Sequence, residues 1–144
     1  MTRWITFFLW AALAVVGARG AEQGSMRASK PEVRKEIIAA IEGQLVAFRA
    51  GDAVAAYAFA AAELRVQKPL RDFALIVRDS YPEIWANTHA EYGVVRDDGA
   101  KAMLAVQVFS KASDATYDYT LTKERGSWRI HDVVRHEPKK KNQM

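Results

Sequence analysis

Residues 37–57 read IIAAIEGQLVAFRAGDAVAAY, and this stretch decides the fold. With Val33 upstream, apolar side chains at Ile37, Ile41, Leu45 and Phe48 recur at steps of four and three, one stripe of a 3.6-residue helix. Ser29 and Glu32 have the spacing of a capping box, and Pro31 suits a first helical turn, so the spacing predicts a helix over 30–50. Gly51 can take the left-handed conformation that closes a helix, and the Asp52 carboxylate can accept from the free N–H groups of the next one. A second, alanine-rich helix is expected over 52–66, with Ala53, Ala56, Tyr57, Ala60 and Leu64 on one face. Gly43 costs the first helix about 1 kcal/mol relative to alanine. Close approach of a strand is the expected compensation.

Downstream, Leu70, Phe73, Ile76 and Val77 keep helical spacing until Tyr81-Pro82, which predicts a third helix over 70–79. Ile84 and Trp85 follow as plugs at one end of the core. The period then changes to two. Thr88, Ala90, Tyr92 and Val94 form a strand ending at the turn Asp97-Asp98-Gly99, and 101–109 is apolar on nearly both faces, as a central strand would be. Next, Ala115, Tyr117, Tyr119 and Leu121 alternate with Thr116, Asp118, Thr120 and Thr122. After a turn at Arg125-Gly126 come Trp128, Ile130, Asp132 and Val134 on one face. The expected architecture is α+β: three N-terminal helices packed on a four-stranded antiparallel meander. The sheet's other face carries Thr, Asp, Gln and Arg, and is either solvated or paired with a second copy.

The chain has 144 residues, half of them hydrophobic, enough for one domain with a core of its own. Its start differs from the rest. Arg3, the apolar run from Trp4 to Ala18 and the small-x-small sequence Ala18-Arg19-Gly20 have the form of a secretory signal peptide. The run is shorter than the roughly 20 residues that cross a bilayer, so cleavage is expected, with an uncleaved anchor as the alternative. The expected division is a leader over 1–20, a flexible lead-in over 21–29, one domain over 30–136 and a basic tail over 137–144. Losing Arg3 and Arg19 lowers the net charge from +4 to about +2, too little to argue for nucleic acid. Lys139-Lys140-Lys141 reads as a solvated end, so membrane contact is expected only through the leader. With no cysteine, the chain has no disulfides, thiolate metal sites, cysteine nucleophile or lipobox lipid, which fits a bacterial periplasm.

The segments QLVAFRAGDAVAAYAFAAAELR, FALIVRDSYP and WRIHDV resemble a family of small exported bacterial proteins classed as domain of unknown function 4864. Its markers here are Gln44, Phe48, Gly51-Asp52, Ala56-Tyr57, Phe73, Tyr81-Pro82, Tyr119 and Trp128-Arg129. The resemblance implies a cystatin-like or nuclear transport factor 2-like fold, in which a curved sheet wraps helices into a cone. It implies no activity. Members of that wider fold class bind small molecules in the cone, and some catalyse proton transfer there.

Residues able to line such a cone are Gln44, Phe48, Tyr57, Phe73, Trp85, Tyr92, Tyr119 and Trp128. The same aromatics would also make an ordinary core. Acid–base chemistry needs a base and a proton donor in one dry pocket. The ionisable candidates are His89, His131, Asp118 and Asp132, with Tyr57, Tyr92, Tyr117 and Tyr119 as donors. Asp118 falls on the face opposite Tyr117 and Tyr119, while Asp132 shares a face with Trp128 and Ile130 near a strand end. The three histidines, His89, His131 and His136, have no ligand spacing, so no metal is expected. No cofactor is expected either, and the sequence has neither a nucleophile elbow nor a glycine-rich loop that could cradle a phosphate. Three readings stay open: a non-enzymatic domain binding a small apolar ligand or a partner protein, with self-association through the sheet; a small isomerase- or dehydratase-like enzyme; and a purely structural or assembly role, which predicts a filled core.

Overall fold

The computed structural model describes residues 25–137. The expected leader and Lys139-Lys140-Lys141 lie outside the described residues. The first helix, α1 (Pro31–Arg49), buries Ile37, Ile41, Leu45 and Phe48 along the expected stripe, and Gln44 and Ala47 with them. Its start differs from expectation. Lys30 holds the cap position with no side-chain bond, because Ser29 is engaged elsewhere: its hydroxyl donates to Asp97 and its N–H to the Val95 carbonyl at 2.9 Å. Arg27–Ala28, within the expected lead-in, forms a short strand, β1, that directs Ser29 there. At the far end Gly51 has φ +70°. Asp52 accepts the Ala55 N–H at 3.0 Å and starts α2 (Ala53–Tyr57) as expected.

The second helix does not run through. It stops at Tyr57, and α3 (Ala62–Gln67) begins after an extended piece. In that piece Ala61 N–H donates to the Ile130 carbonyl at 2.8 Å and Ile130 N–H to the Phe59 carbonyl at 2.9 Å. Alanine's helix propensity, a few tenths of a kcal/mol per residue, yields to backbone bonds that cover a sheet edge. Phe59 also answers the question of Gly43. A Cβ on Gly43 would lie 2.5 Å from the Phe59 ring, so the close neighbour is this ring and not a strand. The third expected helix is α4 (Leu70–Ser80), and Pro82–Trp85 forms a further short turn of helix, α5.

The sheet is antiparallel throughout, with β2 (Asn87–Tyr92), β3 (Arg96–Asp97), β4 (Lys101–Ser110), β5 (Asp114–Glu124) and β6 (Ser127–Arg135). Both β2 and β3 pair with the same edge of β4, and β1 lies outside β3, so six strands stand where four were expected. Gly93 divides the expected first strand. Its N–H donates to the Ala105 carbonyl at 2.9 Å, and a Cβ would stand 3.0 Å from that oxygen. Tyr92 pairs with Val106 but Arg96 with Met103, so one extra residue is looped out, Val95 turns inward and Val94 stays exposed.

Strict alternation governs β4: Ala102, Leu104, Val106 and Val108 are buried, while Met103 on the other face is half exposed. Tyr117, Tyr119 and Leu121 of β5 face inward as expected, with Asp118 opposite. A second bulge interrupts β6, where Leu121 pairs with Ile130 and Thr120 with Asp132, skipping His131. Past the bulge Val133 and Arg135 stand opposite Tyr119 and Tyr117, while Asp132, paired with Thr120 at the bulge itself, is exposed and still lies beside Ile130. Bulges near both edges increase twist, and the inward faces of β4, β5 and β6 close on α1 in one hydrophobic cluster. No helix among the described residues is long and apolar enough to cross a membrane.

Candidate functional site

The break after Tyr57 has a further effect. Because the Phe59–Ala61 piece is laid along β6, α3 stands off from α1, and a cleft of about 60 Å³ opens between α1, α3, α4 and β6. Phe48 and Gln44 lie at its α1 side, Leu64 comes from α3, Phe73, Ile76 and Val77 from α4, and Ala60 and Ile130 from the paired edge. Lys68, Tyr81 and Asp132 supply its other polar groups. Gln44 is buried and its Nε2 donates to the Ala56 carbonyl at 3.1 Å, which fixes the amide. Tyr81 donates its hydroxyl to the Val133 carbonyl at 2.9 Å. Burial first and the Asp132 charge second push its pKa up, so it stays a neutral phenol.

Of the eight residues expected in one pocket, Gln44, Phe48 and Phe73 meet in this cleft, and the other five do not. Tyr57 packs tilted against Phe73, ring centres 5.1 Å apart, but its hydroxyl serves the Arg65 and Lys68 carbonyls at 2.9 and 2.7 Å and so braces the end of α3. Trp85 lies against Phe48 at 5.7 Å and lines a separate groove. Tyr92 donates to Glu42. Trp128 is buried beside another groove, with Phe59 and Glu36. Tyr119 is fully buried in the core, and its hydroxyl has no partner among the described residues. Burial raises its pKa, with smaller contributions from Tyr92, Tyr117 and Tyr81.

The acid–base candidates are scattered. His89 stacks flat on Phe109 at 4.3 Å, His131 meets Glu63 at 3.1 Å, and Asp118 meets His136 at 3.2 Å, all on exposed surface. No group of three or more metal-binding side chains occurs among the described residues.

Sequence reasoning missed the most tightly held charge. Glu83 of α5 is 3 % exposed and accepts from Ser113 and Tyr117 at 2.6 Å each and from Arg135 at 2.7 Å. Burial pushes its pKa up, yet the three donors outweigh burial and hold it at about 2. A carboxylate held so low is a fixed anion at neutral pH, not a base poised for proton transfer. Asn87 was also missed. It is buried, with Nδ2 donating to the Leu45 and Ile84 carbonyls at 3.0 and 2.8 Å. Nothing local marks either residue, since Glu83 has the sequence position of any acidic residue in a first helical turn.

No curated protein and no solved structure matches the chain. Residues 30–143 match the family described as "Domain of unknown function (DUF4864)", whose span takes in α1 to β6 and with them every residue of the cleft. The chain belongs to the DUF4864 family.

Proposed function

We propose that this is a non-catalytic, exported binding domain, and that it works by taking one apolar side chain of a partner protein into the cleft between α3, α4 and β6. The size of the cleft carries this reading. Its room of about 60 Å³ compares with roughly 150 Å³ for a cavity that holds benzene and roughly 300–1,000 Å³ for common ligand sites. A whole small molecule does not fit, but the end of one branched aliphatic side chain does. Lys68 and Asp132 offer opposite charges to the polar backbone of the segment that carries it.

Several features agree with the rest of the reading. The apolar leader and the lack of cysteine favour export to a periplasm. A helix seated on the inward face of a bulged antiparallel sheet is in keeping with the cystatin-like or nuclear transport factor 2-like description. Exposed Met103 and Val134 on the outward sheet face favour self-association there.

A photo-crosslinking residue at Ile76, beside the cleft, tests the proposal in the exporting host, with one at exposed Val94 as control. A discrete protein adduct from position 76 and none from 94 is expected. No adduct at 76, or identical adducts from both positions, overturns it.

A further inference from the structure

On the far side of Phe48 from the cleft lies an open groove of about 370 Å³, between the end of α1, the end of α5 and the β4–β5 turn. We infer that this groove is a second binding site, for a carboxylate carried on an aromatic body. Trp85 supplies an apolar wall, braced by Phe48 at 5.7 Å. Arg49 and Lys111 line the groove, and no carboxylate does.

Arg49 is held in advance. Its Nε donates to Asn87 Oδ1 at 2.6 Å, and its Nη2 pairs with Glu42 Oε1 at 3.2 Å. Asn87 is itself fixed by its two carbonyl partners. Nη1 donates to no protein group among the described residues, so one corner of a rigid guanidinium is left for an outside acceptor. Glu42 neutralises one of the two cations. The groove is therefore short by one negative charge, which a monoanion supplies and a phosphate dianion exceeds. A purely apolar ligand would cover both cations without replacing their water, and a bare anion would leave Trp85 unused.

This chemistry occurs in a free arylalkanoic acid and in the C-terminal phenylalanine of a peptide. The test uses protein purified from the exporting host, following the Trp85 indole N–H by NMR during titration with 3-phenylpropionate, with its neutral amide, and with a short peptide ending in phenylalanine. Saturable shifts with 3-phenylpropionate in the millimolar range, weakened about tenfold in the amide and in Lys111→Gln, are expected. Lys111 is exposed in a turn, so that variant keeps the fold. Tighter binding of the peptide identifies a chain terminus as the source, and equal or weaker binding identifies a free acid. Absence of saturation, an amide that binds as well as the acid, or a Lys111→Gln titration like the wild type overturns the site. None of these readouts depends on the cleft or its crosslinks.

Discussion

Tyr117 donates its hydroxyl to Glu83 Oε1 at 2.6 Å, tying the inward face of β5 to the short helix α5. Arg135 closes the same unit from β6, contacting both Glu83 Oε1 at 2.7 Å and the Tyr117 oxygen at 3.2 Å. Two strands well downstream in sequence thus meet the short helix at one buried carboxylate, whose neighbours Tyr81 and Ile84 line the cleft.

That convergence sets an acid dependence. Glu83 falls from 4.5 to about 2 on folding, so the unfolded chain binds its proton more readily between those values. The stability it contributes is fully present above about pH 4.5 and is lost as pH falls toward 2, a change of about 3 kcal/mol. Replacement by glutamine removes the charge that the three donors hold and leaves the partly exposed Arg135 facing a neutral group, and should destabilise the protein by roughly 1.5–3 kcal/mol at neutral pH. It should also flatten the acid slope. Urea unfolding of wild type and Glu83→Gln at a series of pH values checks both effects, and an unchanged slope in the variant sinks the assignment.

Gly43 and Phe59 form a second pair open to a direct test. An alanine at 43 gains about 1 kcal/mol of helix propensity but collides with the Phe59 ring, a clash that costs about 1–3 kcal/mol. Gly43→Ala alone should therefore be neutral to destabilising. In a Phe59→Ala background the same change should stabilise by about 1 kcal/mol. Chemical denaturation of the four proteins of this cycle measures the coupling, which should exceed 0.5 kcal/mol in magnitude if the ring is what Gly43 accommodates.

Asn87 leads to a third expectation. It fixes Leu45, Ile84 and Arg49 at once from a buried position. Asn87→Ala leaves two carbonyls and a guanidinium N–H short of a partner, and should cost about 2–3 kcal/mol. The exposed neighbour Thr88, which bonds the Phe109 carbonyl at 3.2 Å at the surface, should lose under 1 kcal/mol on replacement by alanine. Thermal melts of the two variants settle the order.

What the sequence disclosed follows the range of the forces involved. The stripe Ile37, Ile41, Leu45 and Phe48 is local, and so is the alternation of Tyr117, Tyr119 and Leu121, so α1 and β5 were legible from spacing alone. The break between α2 and α3 was not, because the bonds that impose it come from Ile130, far along the chain. The bulges at Gly93 and His131 escaped for a similar reason: each adds one residue to a lane without altering composition, and each reverses which side chains face inward. The candidate site suffered most. Cleft residues Leu64, Ile76 and Val77 read as ordinary core positions, and their meeting with Phe48 and Ile130 depends on the same unreadable break.

Neighbouring inward positions of β5 allow the sharpest comparison. Tyr117 and Tyr119 are both fully buried, yet the first hydroxyl donates to Glu83 while the second has no partner among the described residues. Removing a satisfied donor from a buried carboxylate costs about 1.5–3 kcal/mol, whereas removing an unpaired buried hydroxyl relieves a desolvation penalty of about 1–3 kcal/mol. Tyr117→Phe should therefore lower the urea midpoint, and Tyr119→Phe should leave it unchanged or raise it, at equal loss of one oxygen atom and nearly equal shape. The sign of the difference matters more than its size. If Tyr119→Phe destabilises the protein as much as Tyr117→Phe does, the hydroxyl at 119 is satisfied in solution and the centre of this core is wetter than its packing implies.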